Sequence, residues 1–195
     1  MLRRLGALSV ILVVALTPSA LAANVKVRVE GKTTTIYGAT QPTLAAANAL
    51  QALDVASSAG EFYYGVTTAD FGTYVSQIGK YPAGGSSGWV FKVNGVSPPV
   101  AADKVELKNG DVVLWYFATF GAAGGPPTLE LQRLPGNCYV VQSVTDAGVR
   151  SRAGTATLVA GGKRFRTKNG RGCVGRHTGL VRATAPGAVR SNAQR

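Results

Sequence analysis

The sequence predicts an α+β domain followed by a small all-β sandwich, behind a cleaved N-terminal signal peptide. Three observations carry this. Residues 24–120 run hairpin, helix, then further strands, an order that builds a mixed sheet with a helix on it. Two β-rich runs, each with a Trp, adjoin Asn-Gly turns at Asn94-Gly95 and Asn109-Gly110. Beyond residue 127, short apolar runs alternate closely with Gly, Asn and Pro, as in a small sandwich.

The elements follow in order. Arg3 and Arg4 precede an apolar run from Leu5 to Leu16, broken at Thr17-Pro18-Ser19 and followed by Ala20-Leu21-Ala22. A charged start, a short apolar stretch and an A-x-A site define a signal peptide over residues 1–23, cleaved after Ala22 or Ala23. The run falls short of the roughly 20 apolar residues that a membrane span requires, so the mature chain is expected to carry no transmembrane anchor.

Val25-Lys26-Val27-Arg28-Val29-Glu30 alternates apolar and charged residues, a strand with one buried face. Gly31-Lys32 turns it into the β-branched strand Thr33–Tyr37. Thr43 is the expected cap of a helix whose Leu44, Ala47, Leu50 and Leu53 recur at spacing three. Strands are expected at Phe62–Val66, Thr73–Ile78, Trp89–Val93 and Val112–Phe117. In the second half they are expected at Leu129–Leu134, Tyr139–Val144, Thr155–Val159, Arg164–Thr167, Cys173–Gly175, Leu180–Ala185 and Ala188–Arg190, with a hairpin turn at Gly161-Gly162.

Residues 24–120 resemble the transcobalamin-like C-terminal domain, a module of unknown function found in many exported bacterial proteins. The resemblance rests on the opening Val-x-Val-x-Val strand, the Leu44–Leu53 helix and the run Gly72–Ile78. It rests further on Gly88-Trp89-Val90-Phe91-Lys92-Val93-Asn94-Gly95 and on Lys108-Asn109-Gly110-Asp111-Val112-Val113-Leu114-Trp115-Tyr116. It implies a β-grasp-like fold and, as one functional alternative, capture of a small cobalamin-like ligand. The helical barrel that completes a transcobalamin site has no counterpart here. Residues 128–195 resemble carboxypeptidase-regulatory-like or Ig-like sandwiches, which are accessory modules.

Charge divides the chain at the same place. The formal net charge is +12. Residues 24–125 carry seven basic and seven acidic groups, whereas residues 126–195 carry twelve basic and two acidic. The uncharged Gly/Pro-rich stretch 121–127 is the expected linker between the domain at 24–120 and the basic sandwich at 128–195. Cys138 and Cys173, the two cysteines, both follow it and are expected to form a disulfide in an exported protein.

No G-x-S-x-G, H-E-x-x-H, C-x-x-C or P-loop occurs, and His177 is the single histidine. Asp111, directly after Asn109-Gly110, reads as a turn residue rather than as half of an acid–base pair. No catalytic group, metal site or cofactor is predicted, and the chain reads as a non-enzymatic binding protein of the bacterial cell envelope or extracellular space. In the first domain Tyr81, Trp89 and Tyr74 are the candidate ligand contacts; core packing is the competing role for Trp89 and Trp115. In the second, Lys163, Arg164, Arg166 and Lys168 form the candidate contact with an anionic surface, with Phe165 turned inward by alternation. The expected partners are an anionic envelope polymer, a protein or a small ligand. Export argues against nucleic acid, the usual partner of such charge.

Overall fold

The computed structural model describes residues 21–69 and 72–195. The expected signal peptide lies outside the described residues as far as residue 20. Among the described residues no helix is long and apolar enough to cross a membrane.

In chain order the first half contains β1 (Ala23–Glu30), β2 (Thr35–Tyr37), β3 (Thr43–Ala46), α1 (Ala49–Gly60), β4 (Tyr64–Ala69), β5 (Gly72–Ile78), β6 (Tyr81–Pro82), β7 (Ser87–Val93) and β8 (Val112–Thr119). The second half adds β9 (Thr128–Leu134), β10 (Cys138–Val144), β11 (Arg150–Arg152), β12 (Thr157–Ala160), β13 (Lys163–Arg166), β14 (Arg171–Cys173) and β15 (Val181–Thr184).

β1 is the hub of the first sheet. It runs parallel to β8, from Lys26 beside Val112 to Glu30 beside Tyr116. Its other edge is shared by two antiparallel strands, β3 along Ala23–Lys26 and β2 at Val29 and Glu30. β7 pairs antiparallel with β8. Alternation along β1 buries Val25, Val27 and Val29 in a core with Ala49, Ala52, Leu53 and Ala56 of α1 and with Val113 and Trp115 of β8. The Trp strands are joined through their turns. Asn94 and Gly95 both take positive φ, 53° and 87°. The Asn94 side chain donates to Asp111 Oδ1 at 2.8 Å and accepts from the Val112 N–H at 2.9 Å. Asp111 Oδ2 in turn accepts from the Lys108 N–H at 2.7 Å, the turn role read from its position.

Two expectations are corrected here. The helix does not start at Thr43. Residues Thr43–Ala46 hydrogen-bond to β1 as β3, and Asn48 caps α1, its Oδ1 accepting from the Gln51 N–H at 2.8 Å. The α+β, β-grasp-like class is also overturned. The described residues are mostly β, with one α-helix and several sheets, an architecture compatible with a sandwich-like all-β protein. Part of the reason is that β4, β5 and β6 form a separate three-stranded sheet instead of extending the one around β1.

The second half is built from two facing sheets. β10 is central in one, with β9 on one edge and β14 and β11 sharing the other. β12 is central in the second, between β13 and β15. Leu129, Leu131, Tyr139, Val141, Leu158, Val181 and Ala183 form the core between them. Gly161 and Gly162 make the expected hairpin turn, both at positive φ. The disulfide joins Cys138 and Cys173, which face each other across β10 and β14. The expected strand at Ala188–Arg190 reduces to one parallel bridge from Val189 to Thr128.

Candidate functional site

The first half spends its candidate aromatics on packing. Trp89 is buried, and its Nε1 donates to the Tyr81 carbonyl at 2.8 Å. Its ring meets Phe117 edge-on at 5.5 Å and Tyr81 at 6.5 Å. The Tyr81 hydroxyl bonds Thr33 Oγ1 at 2.7 Å, and Lys80 Nζ sits 5.6 Å from its ring centre. These contacts tie β6 and β7 to the turn after β1. Trp115 is buried too, donating to the Ala49 carbonyl at 3.1 Å and stacking on Phe91. Tyr74 is exposed on β5 opposite Thr67. Of the three candidate contacts, Trp89 is thus a buried packing residue, Tyr81 is half-buried beside it, and Tyr74 is exposed.

The face of the β1–β8 sheet turned away from α1 holds charges that sequence reasoning placed in solvent. Glu30 is wholly buried, and three arginines converge on it. Arg28 reaches Oε1 at 3.2 Å and Arg190 reaches Oε2 at 2.9 Å; Arg182 pairs with Oε1. The Thr35 hydroxyl donates to Oε2 at 3.0 Å. Arg28 also donates to the Arg190 carbonyl at 2.6 Å. Burial pulls the Arg28 guanidinium down to about 10, against the opposing pull of Glu30. A second buried cation, Lys92, donates to the carbonyls of Val144 and Thr145 at 3.1 and 2.9 Å and pairs with Asp146 at 3.1 Å. Burial lowers its pKa, and Asp146 opposes the shift. Both sets cross from one half to the other. They clamp the halves together, and among the described residues Arg28 Nε is the one fully buried side-chain polar atom of these sets without a hydrogen-bond partner.

The basic residues of the second half divide accordingly. Arg182 and Arg190 are drawn inward to Glu30, and Arg150 pairs with Glu130 at 2.9 Å. Lys163, Arg164, Arg166 and Lys168 are exposed on and just beyond β13, an edge strand. Among the described residues none of these four pairs with a carboxylate. Phe165 packs against the core between them, as alternation predicts. Arg164 and Arg166 thus share the outward face of β13, a row of charged forks suited to phosphate or carboxylate oxygens. Among the described residues no group of three or more His, Cys, Asp or Glu side chains gathers to hold a metal ion.

A family model described as a domain of unknown function, DUF4430, matches residues 45–119. This is the transcobalamin-like domain. No curated protein matches the chain. The DUF4430 match takes in α1, both Trp strands and the paired turns at Asn94 and Asp111. It leaves out β1 and the whole basic half, so the buried Glu30 cluster and the exposed basic strand both lie outside it.

Sequence reasoning missed Arg28, Glu30 and Lys92 as buried groups. Their signal was weak: a charge on the exposed-looking side of an alternating strand is ordinary. It also gave His177 no role, although His177 lines a cleft with Lys163 and Arg176.

Proposed function

We propose that this is a non-enzymatic, exported binding protein of the bacterial cell envelope or extracellular space, and that its second half docks on an anionic envelope polymer. In this reading residues 1–23 are the signal peptide, 121–127 the linker, and 128–195 a sandwich of the Ig-like or carboxypeptidase-regulatory-like kind. The observation that carries the docking role is the set Lys163, Arg164, Arg166 and Lys168, exposed on an edge strand without a carboxylate partner among the described residues. Glu130 takes Arg150, and Glu30 takes Arg182 and Arg190; the four cations at Lys163–Lys168 are left facing water close together on and just beyond one strand, which favours a multivalent anion as occupant. Edge placement also suits an extended polymer, and the charges guard the open strand edge against pairing with itself. Small-molecule capture by the first half is the lesser reading, because Trp89 and Trp115 are committed to packing.

The test is binding to immobilised poly(glycerol phosphate) over a salt series. Affinity is expected to fall steeply with added salt, and the Arg164→Gln/Arg166→Gln/Lys168→Gln variant is expected to lose most of it. A flat salt response, or a variant that binds as well as the natural chain, overturns the reading.

A further inference from the structure

We propose that the open mouth of the second-half sandwich is a binding site for a small amphipathic anion, a phosphate monoester or carboxylate carried on an aromatic or short aliphatic group. The site shares Lys163 with the docking set but does not include Arg164, Arg166 or Lys168.

Its construction follows from register. Lys163 and Phe165 stand two residues apart on β13 and so share a face. Their neighbours across β12 are Ala160 and Leu158, both buried, so this is the face turned toward the core. The cleft lies beside the β12–β13 turn, where Ala160, Gly161 and Lys163 line it. The chain leaving β14 lines its other side with Val174, then Arg176, His177 and Thr178. It measures about 500 Å³, with Phe165 also in its lining. That volume lies within the range of roughly 300–1,000 Å³ usual for small-ligand sites.

The lining has two parts. Phe165, Val174 and Ala160 supply an apolar floor continuous with the core. Lys163 and Arg176 supply two exposed cations, and among the described residues neither is paired with a carboxylate. His177 is held in place rather than loose: its Nδ1 lies 3.1 Å from the Gly175 carbonyl, and its Nε2 lies 3.5 Å from the hydroxyl of the buried Tyr139. The disulfide from Cys173 to Cys138 pins this segment immediately before Val174. A bare anion would meet the cations but leave the floor wet. A neutral hydrocarbon would cover the floor but leave the cations unanswered. A ligand with both parts satisfies the whole lining, since apolar burial and charge-assisted hydrogen bonds then act together.

The protein carries one histidine, so the His177 ring gives a single imidazole resonance at the site. Its shift is followed by NMR at fixed pH while phenyl phosphate, inorganic phosphate and benzyl alcohol are titrated separately. Phenyl phosphate is expected to move it saturably and to bind at least about ten-fold tighter than either half-ligand. Lys163→Gln/Arg176→Gln, at two exposed positions, is expected to lose that binding with an unchanged melting temperature. Arg164→Gln/Arg166→Gln is expected to keep it while losing polymer binding, which separates this site from the docking face. The proposal is overturned if phenyl phosphate causes no saturable shift, if inorganic phosphate binds as tightly, or if removal of Lys163 and Arg176 leaves the affinity unchanged.

Discussion

The carboxylate of Glu30, in the first described strand, is met by the guanidinium of Arg190, near the last residue of the chain, at 2.9 Å. With Arg28 and Arg182 on the same carboxylate, one negative charge holds three positive ones in the seam between the halves. Removing one partner of a buried ion pair costs more than the pair itself contributes, because uncompensated charge is left behind. Glu30→Gln keeps the shape and leaves three guanidinium groups facing one another. It is expected to lower stability by roughly 3–5 kcal/mol. Arg190→Met, which leaves Glu30 two arginines, is expected to cost clearly less. Urea denaturation of both variants checks the order; equal or reversed losses would show that Glu30 is not the keystone.

The disulfide closes a loop between residues 35 apart in sequence. On the chain-entropy account this constraint contributes about 4 kcal/mol. Cys138→Ser/Cys173→Ser is therefore expected to melt about 10 °C lower than the natural protein. The oxidised chain should show no titratable thiol, and two after reduction under denaturing conditions. Melting curves that are the same with and without reductant would contradict this.

Tyr64 gives a prediction in pH. Burial, together with the bond its hydroxyl donates to Asp54 Oδ1 at 2.9 Å, pushes its pKa up to about 12. The folded state favours the neutral phenol. The stability this contributes is complete below the unfolded value of about 10 and is lost as pH rises through about 12. Tyr116, buried beside Asp146, is shifted upward as well. An alkaline absorbance titration should lose one late-ionising tyrosine in Tyr64→Phe. At pH 8 that variant should be less stable by up to about 1 kcal/mol. A titration curve unchanged by the substitution would refute the assignment.

Alternation made β1 legible, and Asn-Gly pairs made the turns at Asn94 and Asn109 legible, because both signals are local. The same alternation misled about its other face. Arg28 and Glu30 read as solvent-facing, and the residues that bury them, Arg182 and Arg190, lie more than 150 positions away in sequence, where they look like any other basic residues. The helix start went wrong for a related reason. Thr43 and Asn48 are both good caps, and the Leu and Ala residues between them suit either strand or helix, so the choice fell to the β1 edge that Thr43–Ala46 covers. β11 carries the sequence Arg-Ser-Arg and has no apolar pattern to read. The basic strand at Lys163–Lys168 was legible as charge and, through Phe165, as orientation. The cleft beside it was not, since it depends on where the chain runs after Cys173.

The wiring of β1 has a kinetic consequence. Its backbone partners come from residues 35–46 and 112–116, and the counter-ions of its buried carboxylate come from residues 182 and 190. A growing or emerging chain therefore holds this strand unfinished until residues 182 and 190 are available. Contacts of such long sequence separation make folding slow and late. A fragment that stops short of Arg182 would bury Glu30 with Arg28 alone or leave it in water, so the strand stays pliable until both distant arginines have arrived.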